Sequence, residues 1–154
     1  MSDKIKIGII GAGENTRKFH IPNFQKIDGV EVVSVCNRSK ESGQKVADEF
    51  SIPKVFTNWK DLVNDSDIHA VCIGTWPYMH KTLVEAALNN GKHVMTEARM
   101  TDSYENAKDM LSLSKESPGL IAQIVPAPMT LKFDKYIRKI IAEKQIGEII
   151  QIDI

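Results

Sequence analysis

The chain has 154 residues, 42% of them hydrophobic, so it can bury one core, and its length predicts about one domain. Lysine and arginine together number 20, as do aspartate and glutamate, and neither sign forms a long block, which argues against a nucleic-acid or membrane-surface partner. No apolar run approaches the roughly 18 residues of a membrane span, and the N-terminus is polar, so we expect a soluble protein. Cys36 and Cys72 stand in strand-like runs, which favours buried thiols in a cytoplasmic protein and leaves a disulfide open.

The first predicted strand and the turn after it occupy residues 4–16, KIKIGIIGAGENT. A buried strand that feeds a Gly-x-Gly turn and then a helix lets the backbone approach a pyrophosphate and points free N–H groups at it. Thr16 stands where the G-x-G-x-x-G pattern has its third glycine, so we expect looser packing or a slightly shifted phosphate. The carboxylate of Glu14 would be repelled by a bound diphosphate, so we expect it to point to solvent. The alternative is a glycine-rich turn that binds no ligand.

Strands and helices then alternate along the chain. β-branched runs predict further strands at Val30–Cys36 and at residues 55–57, 69–74, 92–96 and 120–125. Helical patterns cover residues 17–27 with a restart at Pro22, 41–50 after an N-cap at Ser39, 59–65 after an N-cap at Asn58, 77–90, and 101 or 102 to 115. This alternation with short turns predicts an α/β fold, a parallel sheet with helices on both faces.

The last part of the chain has a different pattern. A helix is predicted over residues 131–143, and in EIIQIDI, residues 148–154, isoleucines alternate with polar residues as in a strand with one apolar face. A lone strand cannot bury such a face or pair its backbone. We therefore expect residues 1–125 to form a nucleotide-binding domain, and residues 126–154 to be the connecting helix and first strand of an otherwise absent second α+β domain.

Four segments together resemble a known family. GAGENTRKFHIPNF, VCNRS, IGTWPYMH and GKHVMTEARMT are similar in order and spacing to the N-terminal half of the glucose-fructose oxidoreductase, inositol dehydrogenase and rhizopine-catabolism family (Gfo/Idh/MocA). The resemblance implies that the sheet is of the doubly wound Rossmann type. It also implies a Rossmann domain that binds NAD or NADP, hydride transfer to or from a sugar, cyclitol or related polyol, and a following domain that supplies most of the substrate site. That second domain usually forms the dimer interface, so the resemblance also implies a homo-oligomer.

The resemblance also implies positions around the cofactor, and no metal site. Against the pyrophosphate and the helix start it places Gly11, Ala12, Gly13, Glu14 and Asn15. Thr75, Trp76 and His80 match the family's T-P-N-x-x-H turn beside the nicotinamide half, and Glu97 matches the glutamate of its E-K-P motif near the nicotinamide ribose. The alternatives are that His80 lies at a helix terminus without binding a ligand and that Trp76 only packs against the protein.

The family's catalytic lysine is absent, because Ala98 stands at that position and Arg99 replaces the proline after it. Alanine cannot donate to a substrate oxygen. Arg99 is the candidate catalytic residue, since a guanidinium can orient a substrate or stabilise an oxyanion, although it cannot act as a base. A surface role or a phosphate contact for Arg99 stays open, as do a non-enzymatic NAD(P)-binding sensor or regulator and a nicotinamide-dependent glycosidase.

The end of the second strand bears on the choice of cofactor. An Asp or Glu there would accept from the ribose 2′-hydroxyl, but the chain has Asn37, Arg38, Ser39 and Lys40. The fork of donors on Arg38 can pair with a 2′-phosphate. We therefore favour NADP over NAD, with Asn37 and Arg38 in the site. The alternative is that the side chains of Arg38 and Lys40 are simply solvated at the start of a helix.

Overall fold

The protein is described here by a computed structural model that covers residues 4–126 and 133–151. Six strands form one sheet in the order β3-β2-β1-β4-β5-β6, and every neighbouring pair is parallel. The strands are β1 (Ile5–Ile10), β2 (Val30–Cys36), β3 (Lys54–Phe56), β4 (Ala70–Ile73), β5 (His93–Thr96) and β6 (Ala122–Ile124). The strand order reverses direction between β1 and β4, as in Rossmann folds, so the predicted fold class is confirmed.

Helices connect the strands. The first begins as a π-helical segment, Thr16–His20, and continues as α1 (Ile21–Phe24), with Pro22 in the first turn of α1 as predicted. The others are α2 (Lys40–Phe50), α3 (Trp59–Asn64), α4 (Pro77–Asn89), α5 (Tyr104–Glu116) and α6 (Asp134–Ala142). None of the helices within residues 4–126 and 133–151 has the length and apolar character needed to cross a membrane.

Side-chain caps explain where three helices begin. Ser39 accepts from the N–H of Ser42 at 3.3 Å and Asn58 accepts from the N–H of Lys60 at 3.0 Å, so both predicted caps are confirmed. The fifth helix was expected to start at Thr101 or Asp102, which is wrong. Its N-cap is Ser103, because the carboxylate of Asp102 instead accepts from the side chains of Asn106 at 2.9 Å and Thr101 at 3.0 Å.

The sheet is covered on both faces, as the near-continuous apolar runs of its strands require. One core joins the sheet to α3, α4 and α5 through side chains that include Leu62, Leu83 and Met110. The other joins it to α1 and α2 through Ile21 and Val46. Cys36 and Cys72 are buried free thiols, one in each core, so the interpretation of both as buried thiols is confirmed.

The last described segment differs from the sequence prediction. The helix α6 is shorter than the predicted 131–143, and residues 131 and 132 lie outside the described part of the chain. The strand predicted over 148–154 is not formed at residues 148–151, and residues 152–154 lie outside the described part. Within residues 4–126 and 133–151 no strand pairs with this segment, and a strand without a partner has no ladder to stabilise it.

Candidate functional site

A cleft of about 1050 Å³ opens where β1, β2, β4 and β5 end at their carboxyl termini. Open α/β sheets bind ligands at this edge, at the point where the strand order reverses. The predicted site residues that line the cleft are Gly11, Ala12, Gly13, Glu14, Asn15, Asn37, Arg38, Thr75, Trp76, Glu97 and Arg99. The structure therefore brings together residues that are up to 88 positions apart in the sequence, from residue 11 to residue 99.

The glycine turn after β1 packs tightly at Gly11 and is open to the cleft at Gly13. Gly11 has a φ of +83°, and a Cβ atom there would lie 2.7 Å from Thr75 Cγ2 and 2.9 Å from the Thr75 backbone nitrogen. A Cβ atom on Gly13 would meet nothing closer than the Gly74 carbonyl oxygen at 3.9 Å. Gly13 is exposed in the cleft, so its missing side chain leaves room for a ligand to approach the backbone.

Thr16 is accommodated by a glycine on a neighbouring strand end. Its side chain is 1% exposed, and its hydroxyl donates to the Gly11 carbonyl oxygen at 3.3 Å. A Cβ atom on Gly74 would lie 2.1 Å from Thr16 Oγ1, so only glycine fits opposite the threonine. The expectation of looser packing at Thr16 is wrong, because Gly74 provides the close approach that a third glycine in the turn would otherwise provide.

The end of β2 braces the glycine turn and presents a cation. Asn37 Oδ1 accepts the backbone N–H of Ala12 at 2.7 Å, so this side chain holds the turn in place. The next residue, Arg38, is exposed in the cleft, and its guanidinium makes no hydrogen bond or ion pair to any residue in the described ranges. Ser42, at the start of α2, also lines the cleft.

Glu97 ties the end of β5 to the helix after the glycine turn. Its Oε1 accepts from Asn15 Nδ2 at 2.5 Å and lies 2.5 Å from His20 Nε2. The side chains of Glu97 and His20 are only 14% and 13% exposed. His20 is a functional candidate that the sequence analysis did not single out. It lies inside the quoted segment GAGENTRKFHIPNF, but only folding brings it to a residue 77 positions away.

His80 holds two loops and does not itself line the cleft. The ring is fully buried at 0% exposure, with Nε2 3.0 Å from the Thr75 carbonyl oxygen. Its Nδ1 lies 3.1 Å from the carbonyl oxygens of both Arg99 and Met100. The imidazole thus joins the loop after β4 to the loop after β5, and any effect on a ligand passes through Thr75 and Arg99.

Exposed aromatic rings and one cation surround the β4 and β5 end of the cleft. Trp76 is 72% exposed and Tyr78 is 64% exposed, so neither is a core residue. Ala98 and Arg99 are exposed beside them, joined by a cis peptide bond. Three lining residues that the sequence analysis did not assign to the site lie after β3, namely Thr57, Asn58 and Trp59.

Comparisons with known proteins agree with this arrangement. The family model described as "Oxidoreductase family, NAD-binding Rossmann fold" (Gfo/Idh/MocA) matches residues 5–123. The 4-carboxy-2-hydroxymuconate-6-semialdehyde dehydrogenase of Sphingobium sp. is 32% identical over 120 residues, which are 78% of this chain and 38% of that protein. The 1,5-anhydro-D-fructose reductase of Ensifer adhaerens is 32% identical over 140 residues, which are 91% of this chain and 41% of that protein.

A solved structure matches the fold as well. The scyllo-inositol dehydrogenase of Lactobacillus casei, crystallised with NAD(H) and scyllo-inositol, superposes with a TM-score of 0.80 and 26% identity over 94% of this chain and 43% of that chain. The chain spans about two fifths of the length of these relatives. It therefore belongs to the Gfo/Idh/MocA oxidoreductase family and carries that family's NAD-binding Rossmann domain.

Proposed function

We propose that this chain is the cofactor-binding portion of an oxidoreductase that transfers a hydride between NADP or NAD and a sugar, cyclitol or related polyol. The observation that carries the proposal is the open glycine turn, in which Gly13 leaves backbone exposed to a large cleft. When bound, the cofactor supplies the nicotinamide carbon that accepts or gives the hydride. Residues 1–125 are the proposed cofactor unit, and residues 126–154 lead into a second unit.

The pyrophosphate is proposed to lie against Gly11, Ala12 and Gly13. First-turn N–H groups of a helix have no partner inside the helix, so those of Glu14 and Asn15 are available to the phosphate oxygens. The carboxylate of Glu14 belongs to an exposed residue, which allows it to turn away from the diphosphate charge. This arrangement needs no movement of the turn, because Asn37 already holds Ala12.

Arg38 is proposed to select NADP over NAD. Its guanidinium is exposed in the cleft and makes no ion pair within the described part of the chain, so it is available to a 2′-phosphate. The cleft wall contributed by residues 37–39 has no carboxylate to receive a ribose 2′-hydroxyl. Both features support NADP as the preferred cofactor.

The nicotinamide half is proposed to lie between Thr75, Trp76 and Glu97, with Arg99 towards the substrate. The buried His80 ring contacts the Thr75 and Arg99 carbonyls, so it acts as a positioning residue. A guanidinium does not act as a base in proteins, so Arg99 orients substrate oxygens and another group takes up the substrate proton. The anhydro-sugar reductase and the inositol dehydrogenase among the relatives support a sugar-like substrate.

The test uses the two tryptophans, Trp59 and Trp76, which both line the cleft. Reduced nicotinamide absorbs where tryptophan emits, so bound NADPH should quench the nearer ring. Trp76→Phe should remove most of the quenching and Trp59→Phe little of it. Equal effects of the two substitutions would contradict the proposed orientation of the cofactor. The absence of saturable quenching would contradict the proposed site.

The same titration tests the choice of cofactor. Arg38→Ala should weaken NADPH about tenfold or more and leave NADH nearly unchanged, because only NADPH has the 2′-phosphate. Arg138→Ala is the matched control, since Arg138 is an exposed arginine on α6, away from the cleft lining. Equal losses for both nucleotides in Arg38→Ala would refute the phosphate contact.

A non-enzymatic NAD(P)-binding sensor is the second candidate function. It is favoured by Ala98, which gives the cleft no lysine at the position where the family has its catalytic one. The two functions differ in one measurement, the appearance of NADPH absorbance when the protein is mixed with NADP⁺ and candidate polyols. Turnover supports the oxidoreductase. Cofactor binding without turnover across aldoses, cyclitols and their acids supports the sensor only for a protein that also contains the second unit, because the cofactor-binding portion alone is expected to be inactive.

A further inference from the structure

Arg99 is a cation that the folded chain leaves without a partner. The residue is exposed, lines the cleft after β5, and its guanidinium makes no hydrogen bond or ion pair within residues 4–126 and 133–151. The nearest carboxylate in sequence, Glu97, is already engaged through Oε1 by Asn15 and His20. An unneutralised guanidinium in a concave site attracts a planar anion with two oxygens.

The backbone that carries this cation is held in place. The Arg99 carbonyl oxygen lies 3.1 Å from Nδ1 of the buried His80, whose other nitrogen lies 3.0 Å from the Thr75 carbonyl oxygen. The guanidinium therefore extends from a braced loop. A braced backbone fixes the point from which the side chain extends, so less backbone freedom is lost when the guanidinium binds a ligand.

Exposed rings lie in the same end of the cleft. Trp76 and Tyr78 are 72% and 64% exposed and line the cleft together with Ala98 and Arg99. Aromatic faces pack against the apolar face of a ring-shaped ligand while the polar groups of that ligand point elsewhere. Ala98 adds no second cation, so Arg99 is the cation of this end, whereas the carboxylate of Glu97 is held by Asn15 and His20.

We propose that Arg99 binds a carboxylate carried by the substrate, so that this site takes sugar acids and comparable carboxylated rings in preference to neutral polyols. The inference rests on the proposed function and deepens it by naming the substrate class. A hydroxyl would leave the guanidinium charge unpaired, whereas a carboxylate accepts two parallel N–H bonds. Trp76 and Tyr78 supply the apolar wall against which the ring lies.

The experiment compares D-glucuronate with D-glucose, which differ in a carboxylate against a hydroxymethyl group. The protein is first saturated with NADPH, and each compound is then titrated at constant ionic strength by calorimetry. We expect glucuronate to bind about tenfold or more tightly than glucose. Arg99→Gln should abolish this preference, Arg99→Lys should keep part of it, and Arg138→Gln should leave it unchanged.

The outcomes separate this inference from the function on which it rests. Failure of NADPH to bind in the first step would count against the proposed function. NADPH binding without a saturable glucuronate signal, or a preference that survives Arg99→Gln, would overturn the carboxylate site alone. A loss of NADPH affinity in Arg99→Gln without loss of the glucuronate preference would assign Arg99 to the cofactor and would also overturn it. A thermal melt of each variant checks that it is folded.

Discussion

Gly11 and Gly13 lie in one turn, yet a Cβ atom would clash at the first and at the second would only contact the Gly74 carbonyl oxygen at 3.9 Å. Gly13→Val should therefore leave the fold intact and reduce NADPH affinity about a hundredfold, because the added methyl groups occupy the space of the pyrophosphate. Calorimetry with NADPH measures the loss, and a melting temperature within about 2 °C of wild type shows that the fold is unaffected. Wild-type affinity in Gly13→Val would remove the phosphate from this turn.

Gly11→Ala should do the opposite and destabilise the protein. At a φ of +83° a Cβ atom is strained, and it would lie 2.9 Å from the backbone nitrogen of Thr75, which cannot move aside as a flexible side chain would. We expect a loss of about 1–3 kcal/mol in the free energy of unfolding, measured by urea denaturation. An unchanged midpoint would contradict the packing of this turn against the loop after β4.

Gly74→Ala should be more damaging still. Its Cβ atom would lie 2.1 Å from Thr16 Oγ1 and 2.4 Å from the Gly11 carbonyl oxygen. Adding Thr16→Gly removes the first contact and leaves the second, so the double variant should recover only part of the lost stability. Urea denaturation of the single and double variants, analysed as a double-mutant cycle, measures the coupling. Full recovery of the unfolding free energy in the double variant would show that the Gly11 carbonyl moves to make room for the added Cβ atom.

Lys92 is a buried lysine with a structural task. It is 8% exposed, and its ammonium donates to the carbonyl oxygens of Ile68 at 2.7 Å and Asp65 at 3.0 Å. Lys92→Met leaves both oxygens without this donor and should cost about 2–3 kcal/mol of unfolding free energy. Lys81→Met is the control, since its ion pair with Asp109 is at the surface and should cost less than about 1 kcal/mol. Equal losses of unfolding free energy in Lys92→Met and Lys81→Met would refute the structural role of the buried Lys92.

The two thiols should resist modification in the folded protein. Burial raises the pKa of Cys36 to about 11 and that of Cys72 to about 12, with a smaller contribution from the negative charges of Asp61 and Glu97 respectively. A raised thiol pKa leaves little reactive thiolate at pH 8, so Ellman's reagent should react slowly with native protein and fully in urea. Rapid reaction of the native protein would contradict the burial.

Local sequence predicted the elements well because their signals are local. The β-branched run Val30–Cys36 is a strand over the same residues, and Ser39 and Asn58 cap helices because a side-chain oxygen needs only an N–H two or three residues ahead. The start of α5 was misplaced because Asp102 and Ser103 compete within one short segment. Ser103 is the cap, since its hydroxyl accepts the backbone N–H of Asn106 at 3.2 Å.

Relations across the cleft could not be predicted in the same way. Thr16 looked like a departure from the glycine pattern, and the structure shows Gly74, 58 residues later in the chain, making the room for it. His20 looked like an ordinary helical residue until folding placed it 2.5 Å from Glu97. His80 matched a motif by position, but its burial and its carbonyl partners showed that it supports loops.

The sequence by itself determined the α/β fold with its parallel sheet and the glycine turn after β1, and the family resemblance added most of the predicted residues that meet in the cleft. The fold and the turn follow from apolar periodicity and from the Gly-x-Gly pattern, both of which are properties of short segments. Only the tertiary structure decided which polar groups are already engaged and which are free. Asn37 and Glu97 bind protein groups, whereas the described chain leaves the guanidinium of Arg99 without a partner, because hydrogen bonding depends on distances that arise when distant segments pack.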